Sequence, residues 1–159
     1  MERLWAPWRI GYILSDKKGK GCVFCNAFNA ENDEEKLVLY RSKHAFIIMN
    51  LYPYNAGHIM VVPNRHLDNP LKLTEEEQLD MFKLVNKGIE AIQRVMKPDG
   101  FNLGMNLGRV AGAGIDDHIH IHIVPRWNGD TNFMSTVSDA KVISEALKET
   151  YFKLKGALK

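Results

Sequence analysis

The sequence is poor in the features that mark whole classes of protein. Only two of its 159 residues are cysteine, too few for a disulfide framework. No apolar run approaches the ~18 residues needed to cross a bilayer. The opening Met1-Glu2-Arg3-Leu4-Trp5-Ala6-Pro7-Trp8 carries an acid and two tryptophans and lacks the apolar centre of a secretory signal, so a cytoplasmic protein without a membrane partner is expected. Charge of one sign is not in excess either. A net +2 gives no argument for duplex nucleic acid, and no clustered basic face stands out for a nucleic-acid module to use. Internal repeats and low-complexity tracts are missing. What remains, 159 residues of 45% hydrophobic composition, suffices for one domain over 1–159 with its own core.

The chain is punctuated in a readable order. Residues 1–21 read as an aromatic arm, with Trp5, Trp8 and Tyr12 as packing residues, followed by a basic loop. Cys22-Val23-Phe24-Cys25 reads as a glycine-led turn, and 26–36 as a solvated polar connection. Leu37–Tyr40 and Ala45–Met49 predict two short strands around Arg41-Ser42-Lys43-His44, a hairpin with His44 in its turn. After a loop at 50–57, His58–Val62 predicts a third strand. Thr74 with Glu77 forms a capping box, and Leu79, Phe82, Val85, Ile89, Ile92 and Val95 recur at helical spacing up to Pro98-Asp99-Gly100. Phe101–Leu107 predicts a fourth strand, a glycine loop spans 108–117, and 138–158 predicts a weaker helix. Strands, helix, strands, helix make an α+β domain with an antiparallel sheet.

Two stretches carry chemistry. Three of the six histidines alternate with isoleucine in His118-Ile119-His120-Ile121-His122-Ile123, so a strand here sets all three imidazoles on one face and the isoleucines on the other. Neutral imidazole is nucleophilic near pH 7, and the phosphoramidate it forms with phosphorus is reactive enough to be cleaved again. Just upstream, Gly112-Ala113-Gly114 can form a nest of backbone N–H groups for anionic oxygens. Arg126 can meet polyphosphate or a surface carboxylate, and Trp127 can stack on a base or pack at a subunit seam. Separately, Cys22-x-x-Cys25 reads as half of a tetrahedral zinc site and needs two further ligands.

The run from His118 through Val124-Pro125-Arg126-Trp127 resembles the signature of the histidine triad superfamily. Its tail is similar to the branch containing diadenosine tetraphosphate phosphorylases and related hydrolases, and the similarity runs from about Cys22 to about Phe133. The resemblance implies a five-stranded antiparallel sheet with a long helix packed on it, and a two-fold homodimer. It makes His120 the nucleophile, with His122 beside the phosphate and His58, after Asn55-Ala56-Gly57, bracing the triad. Asn50 matches a ribose contact and Asn106 a phosphate contact. Family members often carry serine or glutamine around Gly114, so one phosphate contact is expected to be missing here. Zinc-bearing members imply His66 and His118 as the remaining ligands; such a closed Cys₂His₂ site would be structural. The expected activity is cleavage of dinucleoside polyphosphates through a nucleotidyl-histidine. Hydrolysis of adenosine phosphoramidates and a zinc-stabilised nucleotide-binding regulator without turnover are the alternatives.

Overall fold

Two five-residue runs, Ala45–Met49 and Ile59–Pro63, are buried at every position. A strand that is apolar on both faces must be covered on both, and this one is. Ala45, Ile47, Met49, Ile59 and Val61 face one layer of the core, while Phe46, Ile48, Met60 and Val62 face the other.

The computed structural model describes residues 21–115, 117–130 and 145–159. The tryptophans and tyrosine of the predicted arm lie outside them, as does the first part of the predicted C-terminal helix. The elements are α1 (Val23–Phe28), β1 (Val38–Arg41), β2 (Ala45–Met49), β3 (Ile59–Pro63), α2 (Glu75–Met96), β4 (Gly100–Gly104), β5 (Ile121–Arg126) and α3 (Leu147–Ala157). The five strands form one antiparallel sheet in the order β1-β2-β3-β5-β4. This is the expected α+β architecture.

Helix α2 begins as its capping box requires: the Glu77 N–H donates to the Thr74 hydroxyl and the Glu77 carboxylate accepts from the Thr74 N–H. It ends where Lys97 turns left-handed before Pro98. Of the predicted stripe, Val85, Ile89, Ile92 and Val95 do pack on the core, and the helix departs from it only in its first turns. Met81, Leu84, Val85, Gly88, Ala91 and Ile92 point inward, whereas Leu79 and Phe82 are 57% and 63% exposed. Small residues decide this. A Cβ at Gly88 would stand 2.9 Å from the Ile59 side chain and 3.2 Å from Ile123, so glycine lets the helix lie close on the sheet.

Other expectations shift as well. The cysteine turn and the start of the polar connection form α1, whose Phe24 and Ala27 cover the second face of the sheet. The fourth strand stops at Gly104 instead of Leu107. The histidine strand begins at Ile121, after His118 and His120, because Ile119 donates to the Leu67 carbonyl of a neighbouring loop. The third strand starts one residue after His58. Helix α3 packs on the α2 side, tied to β1 by the Tyr151 hydroxyl and the Lys155 ammonium, both donating to the Val38 carbonyl. No helix among the described residues is long and apolar enough to cross a membrane.

Candidate active site and metal centre

His122 pairs across the sheet with Met60, and the alternation of β5 turns it towards the α1 side while Ile123 joins the core under α2. The three imidazoles do share this side, but they do not form a wet face. His118 is fully buried, His120 is 5% exposed and His122 is half-buried. Phe24 of α1 covers the first two, its ring centroid 5.5 Å from His118 and 5.0 Å from His120.

Hydrogen bonds fix which nitrogen of each ring carries the proton. His120 Nδ1 lies 3.0 Å from the His118 carbonyl oxygen, which can only accept. Nδ1 therefore holds the proton and Nε2 holds the lone pair. Burial lowers the His120 pKa, against a smaller opposing pull from that carbonyl, so the ring is neutral at pH 7. His58, also fully buried, accepts at Nδ1 from the Tyr54 backbone N–H at 3.1 Å. Its proton then sits on Nε2, 2.9 Å from His122 Nδ1, and His122 in turn keeps its proton on Nε2. One histidine is left as an electron-pair donor and its neighbour as a proton donor, their rings 4.7 Å apart. The Tyr54 ring stacks on His58 at 4.8 Å and completes the seat.

His120 and His122 open onto a cavity of about 270 Å³, lined further by Phe24, Ile48, Met60, Asn50 and Gly114. Asn50 accepts from the Tyr52 N–H and stands 3.4 Å from His58 Nδ1. Of the glycine loop, Gly114 reaches the cavity wall. Gly112, with φ +87°, accepts at its carbonyl from the Asn106 side chain at 3.4 Å, and neither of these residues nor Ala113 lines the cavity. Arg126 and Trp127 lie at the far end of β5. The Arg126 guanidinium is held by the Asp130 carboxylate at 2.6 and 3.0 Å and by the Asn102 side-chain oxygen Oδ1 at 2.8 Å. Trp127 is half-buried, and its backbone N–H donates to Asp130.

Cys22, Cys25, His66 and His118 bring their ligand atoms within 4.8 Å of one another. The Cys22 and Cys25 sulfurs lie 3.2 and 3.7 Å from His118 Nδ1, and Cys25 lies 3.3 Å from His66 Nδ1. Sulfur and nitrogen around a tetrahedral zinc stand about 3.6 Å apart, so the donor set fits such an ion. His118 Nε2 donates to the Pro63 carbonyl at 2.9 Å, which leaves Nδ1 as the ligand and supplies the outer hydrogen bond typical of metal histidines. Burial pushes the Cys25 thiol up to about 11, so a metal would displace its proton. His118 thus turns its side chain to this centre and its carbonyl to His120.

Spacing alone signalled Cys22, Cys25 and the His118, His120, His122 run, whereas Asn50, His58, His66 and Asn106 were legible only through the family resemblance. Phe24, Tyr54 and Asp130 were missed: a lone aromatic in a short helix, a backbone donor and an acid after a turn leave no periodic trace.

A five-stranded antiparallel sheet with two buried histidines and a half-buried third beside a cavity is the arrangement of histidine triad proteins. The chain belongs to the HIT family: residues 31–129 match the HIT domain. It is 40% identical over 158 residues to AP-4-A phosphorylase of Mycobacterium tuberculosis, covering 94% of this chain and 80% of that protein. It is 36% identical over 93 residues to the asymmetrical bis(5'-nucleosyl)-tetraphosphatase of Schizosaccharomyces pombe, covering 58% of this chain and 50% of that one. A zinc-bound histidine triad protein from Mycobacterium smegmatis superposes with a TM-score of 0.69 at 26% identity, covering 87% of this chain and 93% of that one.

Proposed function

We propose that this protein cleaves dinucleoside polyphosphates, with diadenosine tetraphosphate the first candidate, by passing a nucleotidyl group through His120. The observation that carries the reading is the His118 carbonyl, which ties the proton to His120 Nδ1 and leaves the Nε2 lone pair as nucleophile. In the first step Nε2 bonds to phosphorus as the bond from phosphorus to the leaving oxygen breaks, and the His122 Nε2 proton passes to that oxygen. In the second step water or inorganic phosphate attacks the same phosphorus and gives a proton back to His122. The bond to His120 then breaks, and both rings return to their starting state.

The similarity to AP-4-A phosphorylase supports phosphate as acceptor. Glycine at 114 offers no hydroxyl, so backbone N–H groups of the loop would orient the phosphate. Cys22, Cys25, His66 and His118 would hold a zinc ion, which supplies structural cross-linking of α1, the loop after β3 and the start of β5. A homodimer belongs to the same reading: β4 is an edge strand with Leu103 exposed, and light scattering tests it.

Incubation with diadenosine tetraphosphate tests the reaction. ADP plus ATP, formed only with added phosphate, is the expected result. AMP plus ATP at a rate indifferent to phosphate makes water the acceptor, and cleavage of adenylate phosphoramidates alone replaces the substrate class. His120→Asn should lower turnover by several powers of ten while nucleotide still binds; a folded variant with near-normal activity removes His120 from the mechanism.

A further inference from the structure

The turn that seats His58 is closed by its own backbone. The His58 N–H donates to the Asn55 carbonyl at 3.1 Å, the Tyr54 N–H donates to His58 Nδ1, and Gly57 makes the bend at φ +76°. Its His58 end is held to the strand ladder, where the Asn50 N–H donates to the His58 carbonyl at 3.0 Å, and its Asn55 end is left to a side chain. What pins it is the Asn55 side chain, 5% exposed, whose Nδ2 donates to the Pro125 carbonyl at 2.9 Å and to Asp130 Oδ2 at 2.7 Å. Asp130 also takes both forks of Arg126 and the Trp127 N–H at 3.2 Å, with its side chain 9% exposed.

We infer that Asp130, oriented by Arg126, is a positioning residue that acts through Asn55 to hold His58 against His122. The inference rests on the proposed nucleotidyl transfer, since it assigns these residues to His58 and His122 of the same site. It gives Arg126 a role other than polyphosphate contact. Its guanidinium is engaged by Asp130 and Asn102, roughly 13 Å along the strand from His122. The logic is that of a buried donor. Without the Asp130 carboxylate, one hydrogen of the Asn55 amide is left buried and unpaired, and the turn relaxes to satisfy it. The Tyr54 N–H then leaves His58 Nδ1, His58 samples both tautomers, and His122 loses the donor that keeps its own proton on Nε2.

The test compares full-length protein with its Asp130→Ala, Asp130→Asn and Arg126→Ala variants. Nitrogen-15 NMR of the imidazoles reads the tautomers without any substrate. Wild type should show His58 protonated at Nε2, Asp130→Ala a mixture, and Asp130→Asn, which keeps an acceptor for Asn55, a pattern near wild type. Steady-state cleavage should show kcat about tenfold lower for Asp130→Ala with KM within twofold. Arg126→Ala should lose about threefold in kcat alone. Unchanged His58 signals in Asp130→Ala, or a loss that falls wholly on KM in Arg126→Ala, overturns the inference. Should Asp130→Ala not fold, Arg126→Ala carries both readouts. Failure of wild type to cleave any dinucleotide would remove the proposed function, whereas the NMR comparison would still decide whether Asp130 holds His58.

Discussion

Gly57 joins the loop that carries Asn50 and Tyr54 to His58, and alanine there should be costly for two separable reasons. The backbone holds φ +76°, where a residue with a Cβ is disfavoured by ~1–2 kcal/mol. The added Cβ would also stand 2.6 Å from Met96 Sδ and 3.3 Å from Pro125 Cγ. Methionine is flexible and swings aside, so the second share is about 1 kcal/mol of lost packing and not a full overpacking penalty. Together these give about 2–3 kcal/mol. At ~2–4 °C per kcal/mol for a chain of this size, the melting temperature should fall by about 4–12 °C. Calorimetry of Gly57→Ala, Met96→Ala and the double variant separates the shares. Truncating Met96 should relieve the contact but not the backbone, giving a coupling of about 1 kcal/mol. A Gly57→Ala protein melting within 1 °C of wild type refutes the reasoning. Full additivity in the double variant removes the steric half.

Three further outcomes are expected. The hydrogen bond from Arg65 holds the Glu77 pKa at about 2, below its ordinary 4.5, so its contribution should be present above pH 4.5 and lost as pH falls towards 2. Glu77→Gln should flatten that part of the stability profile, and Glu77→Ala should cost about 1–2 kcal/mol by losing the cap as well; an unchanged acid limb in Glu77→Gln would speak against it. Zinc added to metal-free protein at pH 7 should bind at about one ion per chain and release protons from the cysteines, read with an indicator dye, and chelation should lower the melting temperature; no metal uptake in wild type, or uptake unaltered in Cys25→Ser, would discard the site. Phe24→Ala should destabilise by about 3–5 kcal/mol, because its ring fills the space between the sheet and two buried histidines; a cost below 1 kcal/mol would mean that α1 is not a true part of the core.

Local chemistry was the legible part of the fold. Thr74 and Glu77 announced the helix start because a capping box is complete within four residues, and the fully apolar runs of β2 and β3 needed no context. The inward face of α2 was not legible in the same way. Leu79 and Phe82 outweigh Gly88 and Ala91 on any hydropathy count, yet close approach to the sheet favours the small residues. At the site, spacing revealed the paired cysteines and the three alternating histidines, and the family resemblance added His58 and His66, but the direction of each proton depends on carbonyl and N–H partners that no spacing encodes. Arg126 shows the limit most clearly: its charge suited polyphosphate or a surface carboxylate equally, and only the fold shows that the acid four residues later is the partner.

The strand order carries a consequence for how the protein reaches its working state. Strands β1, β2 and β3 pair with neighbours in sequence, and so do β4 and β5, whereas β3 meets β5 across the whole of α2 and β4. That seam is short, with Ile59, Met60 and Val61 opposite Ile123, His122 and Ile121. Closing it spends the most chain entropy, so it should form late, after two locally assembled halves have collapsed. His58 stands beside one half of the seam and His122 on the other. A partly folded chain would therefore carry every reactive side chain and no reaction centre, and recovery of activity during refolding should lag behind recovery of helix content.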